Sequence, residues 1–309
     1  DEVIRIPQVQ LAGNDVTVSG SGTTWSAERV LADSDAEGEI AVQLTITDPT
    51  GNTRTLSYPQ VDSSNLLASY PFSGNANDAS SNNTHLTVNG ATLATDRFGR
   101  LQSAYQFDGN DDYLTGEDVN DLGTQSVSFS AWFKTVMDVI HSDGHKILNK
   151  GLTSAGNHGG YAFRLYPGNV LGLDINEENN AGSYNVILKS SESVNDGEWH
   201  YAIAVIDRNE SKLRFYLDGI SQGEADISHV GSLDTEIPFS VGNLDRGTYG
   251  VRSEFFNGLI DDVRIENSAL DASLVMMRAN TVVLDKTKPT LANVSLASTN
   301  ADPTRAKSG

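Results

Sequence analysis

Cysteine is absent from the 309 residues. That excludes a disulfide scaffold, a thiolate zinc centre and a cysteine nucleophile. Basic residues are scarce: 21 Lys+Arg stand against 41 Asp+Glu, for a formal charge of −20. Such a field repels nucleic acid and anionic membrane, so neither is expected as a partner. It suits hard divalent cations, which take oxygen ligands from Asp, Asn and backbone carbonyls. No apolar run reaches the ~18–20 residues of a membrane span, so no membrane insertion is expected. No signal peptide opens the chain, which reads as an interior piece of a longer exported protein. Helical periodicity is nearly missing too.

What is present is alternation. Ile40, Val42, Leu44 and Ile46 alternate with polar residues and run into a turn, Asp48-Pro-Thr-Gly-Asn52. Val127, Phe129, Ala131 and Phe133 repeat the pattern, as do Tyr201, Ile203 and Val205. Leu213, Phe215 and Leu217 lead into Asp218-Gly219, a hairpin signal. One short helix is expected from Asp271 to Ala279, with Asp271 as its N-cap. The aromatics Phe107, Trp132 and Trp199 are read as core. An all-β class follows.

Nine motifs in order carry a family resemblance. They begin with Leu67-Ala-Ser-Tyr-Pro-Phe72, Gly74-Asn-Ala-Asn-Asp78 and Asn89-Gly-Ala-Thr92 with Asp96-Arg-Phe-Gly99. Ala104-Tyr-Gln-Phe-Asp-Gly109, Phe129-Ser-Ala-Trp-Phe133 and Gly197-Glu-Trp-His200 follow. Phe215-Tyr-Leu-Asp-Gly219, Val241-Gly-Asn243 and Gly258-Leu-Ile-Asp-Asp-Val-Arg-Ile265 complete the set. This stretch, residues 62–285, resembles the laminin-G-like, concanavalin A-like jelly-roll domains of bacterial extracellular proteins. Residues 1–61 resemble the later strands of a bacterial immunoglobulin-like repeat, and residues 286–309 the start of a further one. Two truncated copies or one copy split by an insertion both fit, and chain order favours truncation. The resemblance implies a secreted or cell-surface module of a bacterial adhesin, chained to neighbouring immunoglobulin-like repeats.

The resemblance also implies structural Ca²⁺, tying the first loops to the last strand. The candidates in matching positions are Asp78, Asn82, Asp111, Asp112 and Asp261. The competing reading has Asp78 and Asn82 capping a turn through side-chain to backbone bonds. Asp108-Gly-Asn110-Asp-Asp112 opens like an EF-hand loop but lacks the following Gly and the distal Glu, so an EF-hand is rejected.

A glycan or other cell-surface ligand is expected at a rim of long loops. Tyr161 and Tyr249 offer rings for stacking on sugars. His141, Asp143, Asn157, His158, Asp245 and Arg246 offer polar contacts there, joined by Asp174 and Asn176. Hydrolysis is the weaker alternative. Retaining glycosidases need two carboxyls ~5–5.5 Å apart, and Asp174-Ile-Asn176-Glu-Glu178 carries Asn in the middle carboxylate position. No Gly-x-Ser-x-Gly elbow is present, and the six histidines show no helical metal-ligand spacing. A non-catalytic binding module is the leading reading, and a ligand-free architectural spacer the runner-up.

Overall fold

A computed structural model describes residues 8–11, 14–21, 24–28, 38–39, 42–47, 53–58, 65–151, 159–177, 185–245, 252–279, 283–284 and 293–297. The chain divides into two units, Asp1–Val61 with Met277–Gly309 and Asp62–Met276.

The first unit opens with β1 (Gln8–Leu11), β2 (Asn14–Val16), β3 (Val18–Ser21) and β4 (Thr24–Glu28). β5 (Gly38–Glu39), β6 (Val42–Thr47) and β7 (Thr53–Tyr58) follow. β2, β1, β6 and β7 make one antiparallel sheet in that order. Val9 and Leu11 of β1 are buried, as alternation on a half-buried strand requires.

The second unit is a sandwich. Its strands are β8 (Leu66–Tyr70), β9 (Thr87–Asn89), β10 (Thr92–Ala94), β11 (Ala104–Asp108), β12 (Tyr113–Thr115) and β13 (Val127–Lys134). Next come β14 (His145–Gly151), β15 (Gly160–Tyr166), β16 (Val170–Asn176), β17 (Asn185–Ser193) and β18 (Trp199–Asp207). β19 (Lys212–Leu217), β20 (Ile220–Asp226), β21 (Ser240–Val241), β22 (Leu244–Asp245), β23 (Arg252–Ser253) and β24 (Asn257–Glu266) complete it. An eight-stranded sheet runs β10-β11-β24-β13-β18-β19-β20, with β8 also pairing β24. A seven-stranded sheet runs β17-β16-β15-β14-β21-β12-β9. All pairings are antiparallel, the arrangement of a jelly roll.

Alternation decides which side chains meet between the sheets. Phe129, Ala131 and Phe133 enter the core from one sheet, and Tyr161, Phe163, Leu165, Leu171 and Leu173 from the other. The ring of Phe129 lies 4.8 Å from that of Tyr161 and 5.0 Å from that of Phe163. The β19–β20 hairpin turns at Asp218 and Gly219, whose φ values of +52° and +78° are those of a type I′ turn. A helix, α1 (Ala272–Ala279), follows β24, and Asp271 Oδ1 accepts the Ser273 and Leu274 amides at 2.9 and 3.0 Å. This is the expected N-cap. Trp132 departs from the core reading. A bulge at Asp262 (φ +47°) sets Trp132 opposite Asp261, and its half-buried ring stacks 5.0 Å from Tyr201 on the face away from the core.

Past α1 lie β25 (Val283–Leu284) and β26 (Asn293–Ala297) of the first unit. Among the described residues no helix is long and apolar enough to cross a membrane.

Candidate functional site

Among the described residues, Asp78 and Asp261 do not join Asp111 and Asp112 in one group of ligand atoms. Asp78 is buried, and its two oxygens already accept five hydrogen bonds. These come from the amides of Ser69, Ser80 and Thr84 and the hydroxyls of Ser80 and Thr84. These bonds outweigh burial and hold its pKa below the ordinary value. Asn82 is exposed and donates to the carbonyls of Leu66 and Leu67. Both residues organise the loop after β8, as the turn-capping reading has it.

Asp261 is fully buried, and its Oδ2 is taken by the guanidinium of Arg97, which also reaches Asp262 at 3.3 Å. Arg97 further lies 4.7 Å over Trp132 and 4.3 Å over Phe98. Burial pushes the Asp261 carboxyl up to about 7, with Asp262 adding to the rise and Arg97 opposing it. The Asp261 carboxylate is thus engaged by a fixed cation. Asp111 and Asp112 lie elsewhere, on the loop after β11 with Asp108. The ligand atoms of these three lie within 4.8 Å of one another, the one such acidic group among the described residues. The side chain of Asp108 accepts the Asn110 and Asp111 amides, and Asp112 accepts the Asp108 amide.

The glycan candidates separate similarly. Tyr161 does not line a rim: it is fully buried in the core, where its hydroxyl donates to the Asn120 carbonyl at 2.8 Å. It shares strand parity with Phe163 and Leu165, which is why it points inward. Asn157, His158, Arg246 and Tyr249 lie outside the described residues. His141 and Asp143 are exposed on the loop before β14, which meets Arg164 through a 2.9 Å bond from Nη2 to the Ser142 carbonyl.

Asp174 and Asn176 share one face of β16, opposite to Leu171, Leu173 and Ile175 in the core. Cross-strand register extends this face across the seven-stranded sheet in three rows. Thr115, Ser240, Asn149, Ala162, Asp174 and Ile187 form the central one. Lys146, Arg164, Gly172 and Lys189 form a second. Gly151, Gly160, Asn176 and Asn185 form the third.

The face is polar and mostly covered. Asp174, 3% exposed, accepts the Tyr166 hydroxyl on both oxygens at 2.8 and 2.9 Å, with Arg164 and Lys146 at 3.7 and 4.0 Å. The Tyr166 ring lies against Gly172, where a Cβ would stand 2.4 Å from the ring. Arg164 and Lys189 lie 4.5 and 3.7 Å from its centroid. Burial, with Asp174 beside it, drives the Tyr166 phenol far above its ordinary value. Burial lowers the Lys146 ammonium, opposed by Asp174 and Glu254. Asp245 on β22 is buried and paired with Arg252 at 2.8 Å.

Two members of this region have unmet chemistry. Asn149 and Asn243 are both 0% exposed, and neither carboxamide's nitrogen or oxygen has a hydrogen-bond partner among the described residues. They are linked through Ser240, the cross-strand neighbour of Asn149, whose hydroxyl donates to the Asn243 carbonyl at 3.1 Å. Asn149, Lys146, Arg164 and Tyr166 are not among the residues expected from sequence. Parity signals two of them, since Tyr-Ala-Phe-Arg-Leu-Tyr over 161–166 sets Arg164 and Tyr166 opposite to the apolar positions, whereas Lys146 and Asn149 share a face only through a bulge between them.

Known proteins sharpen this picture. The sequence profile of the concanavalin A-like lectin/glucanases superfamily matches residues 108–276. No curated protein matches the chain. Among solved structures, the binding domain of Paraclostridial Mosquitocidal Protein 1 aligns with TM-score 0.55 and 16% identity, over 71% of this chain and 52% of that one. The chain therefore spans about half of that binding domain. Domain 4 of AbnA, an extracellular arabinanase of Geobacillus stearothermophilus solved with arabinotriose, aligns with TM-score 0.52 and 19% identity, over 70% of this chain and 98% of that one. The binding domain of Botulinum Neurotoxin DC in complex with SialylT aligns at 0.54 and 14%, covering 71% and 51%. At these identities the likeness is one of fold. With the profile matched over more than half of its length, the chain belongs to the concanavalin A-like lectin/glucanases superfamily through a laminin-G-type domain.

Proposed function

We propose that the Asp62–Met276 unit is a non-catalytic carbohydrate-binding module displayed outside the cell, taking a neutral glycan on the polar face of the seven-stranded sheet. The observation that carries the reading is the pair Asn149 and Asn243, each with a donor and an acceptor unfilled at 0% exposure. Buried polar groups are nearly always partnered, so this carboxamide pair calls for a group that donates and accepts at once, a bound water or a ligand hydroxyl. A metal ion would satisfy the oxygens and leave the nitrogens, and an anion would do the reverse. A sugar hydroxyl donates and accepts at once, and so matches a carboxamide. The arabinotriose-bound domain of the same fold supports the ligand class.

Catalysis has weaker support. Asp174 is committed to Tyr166, and the next residue on its face is Asn176, where a hydrolase needs a second carboxyl. Calcium association, the other part of the reading, rests on the Asp108, Asp111 and Asp112 loop.

The test is calorimetric titration of the full chain with arabinotriose and a panel of other neutral oligosaccharides, beside Asn149→Leu and Asn243→Leu. Binding by the wild type should fall roughly tenfold or more in each variant, about 1.4 kcal/mol. Melting temperature should hold or rise, because an unpaired buried amide is removed. Unchanged affinity in both variants, or new reducing ends released by the wild type, would overturn the proposal. No binding across the panel would favour the architectural spacer.

A further inference from the structure

The two ends of the chain meet in one β-unit. β26 pairs antiparallel with β4 over five consecutive residues without a register shift, from Asn293↔Glu28 to Ala297↔Thr24. β4 pairs β3 on its other side, giving a three-stranded sheet in the order β26-β4-β3. A second ladder joins β25 to β5, with Val283↔Glu39 and Leu284↔Gly38. As residue numbers rise along the tail from 283 to 297, partner numbers fall from 39 to 24. Both ladders run antiparallel to the opening segment.

The register agrees with the residue types. Leu296 stands opposite Trp25 and Val294 opposite Ala27, while Ser295 stands opposite Ser26 and Asn293 opposite Glu28. A slip by one residue would set Val294 against Ser26 and exchange apolar for polar partners along the whole ladder, which is how a strand specifies its register. The four-stranded sheet and this three-stranded one together hold seven strands, the number of an immunoglobulin-type sandwich.

The second unit is built as an insertion requires. Its first strand β8 pairs with its last, β24, through Val263↔Tyr70, Arg264↔Ser69 and Ile265↔Ala68. The Asn267 amide donates to the Asn65 carbonyl at 2.7 Å. Its first and last strands therefore lie side by side, the arrangement under which one domain can interrupt another.

From these observations we infer that residues 1–61 and 277–309 are two halves of one domain, interrupted by the Asp62–Met276 module. The edge of β4 is a strand-acceptor surface, and its partner is this chain's own Asn293–Ala297 segment. Strand addition to an exposed sheet edge satisfies a row of backbone groups at once. This inference does not depend on the ligand.

The lack of native cysteine makes a clean test. Directly opposed antiparallel residues have Cα atoms roughly 4.5–5.5 Å apart, within disulfide reach, whereas a diagonal two residues away stands at about 7–8 Å. Full-length chains carrying Ser26→Cys with Ser295→Cys, and Ala27→Cys with Val294→Cys, should oxidise to an intramolecular disulfide in a monomer. One of these adjacent pairs is the closer, non-hydrogen-bonded kind. Ser26→Cys with Asn293→Cys should not link. Disulfide-bonded multimers, or linkage of the in-register pairs no better than of the diagonal pair, would overturn the inference. In case the cysteine variants fold poorly, hydrogen exchange on the otherwise unaltered chain serves as a second measurement. Ser295→Pro should strip protection from those amides of residues 24–28 that face β26 and leave residues 66–70 and 257–266 unchanged. Equal protection of residues 24–28 in wild type and Ser295→Pro would also overturn it.

Discussion

Replacing Arg97 with Met asks whether a fixed cation, not a metal, supports the last strand. Arg97 is buried against Asp261, which is 0% exposed, and against Asp262. Removing one partner of a buried pair leaves an uncompensated charge and costs roughly 3–5 kcal/mol. Lost contact with the Trp132 and Phe98 rings adds about 1 kcal/mol. For a domain of 150–250 residues each kcal/mol moves Tm by about 2–4 °C, so differential scanning calorimetry of the full chain should show a drop of roughly 8–24 °C. Adding Asp261→Asn should recover part of it, because the orphaned charge is then gone. The pH dependence has a definite sign. The folded-state value of Asp261, about 7, lies above that of an unfolded carboxyl, so the folded state binds the proton more tightly. Its stabilisation is complete below the ordinary carboxyl pKa and is lost as pH rises through 7. Arg97→Met removes the opposing attraction and should carry that loss to higher pH. Calcium should leave the drop unchanged. A variant melting within about 1 kcal/mol of wild type, or one restored by calcium, would refute this reasoning.

Three further outcomes follow from the same geometry. Tyr161→Phe should cost about 1 kcal/mol in urea melts, by leaving the buried Asn120 carbonyl without its donor, and should not alter oligosaccharide affinity. Calcium added to the apo chain should raise Tm by mass action, and Asp111→Asn should remove that increment while Asp261→Asn leaves it. Burial alone would depress the imidazole of His200, but Asp218 at 2.8 Å and Asp196 at 3.1 Å outweigh it and raise it above 6.5. Its stabilisation is full below 6.5 and fades as pH climbs through the raised value, so His200→Gln should flatten stability profiles across that window.

Local pattern was enough for much of this protein. Alternation at Phe129, Ala131 and Phe133, the Asp218-Gly219 turn and the Asp271 cap were all legible. Each depends on residues within a few positions of one another, where strand pleat, left-handed φ and unpaired helix amides act. The jelly roll itself was legible because its motifs recur in order. Even Tyr161 could have been placed inside from its parity with Phe163, had ring chemistry not outweighed periodicity. Pairings between distant strands were not legible. Asp261 and Arg97 stand 164 residues apart in the chain, and either could have faced a metal, water or each other until β24 bulged at Asp262. Asn149 and Asn243 look like ordinary strand and turn residues, and only the packing of β14 beside β21 buries both carboxamides without a partner. The tail is the clearest case. Chain order favoured two truncated repeats, whereas backbone pairing set β26 against β4, because an antiparallel ladder is indifferent to the number of residues that separate its strands.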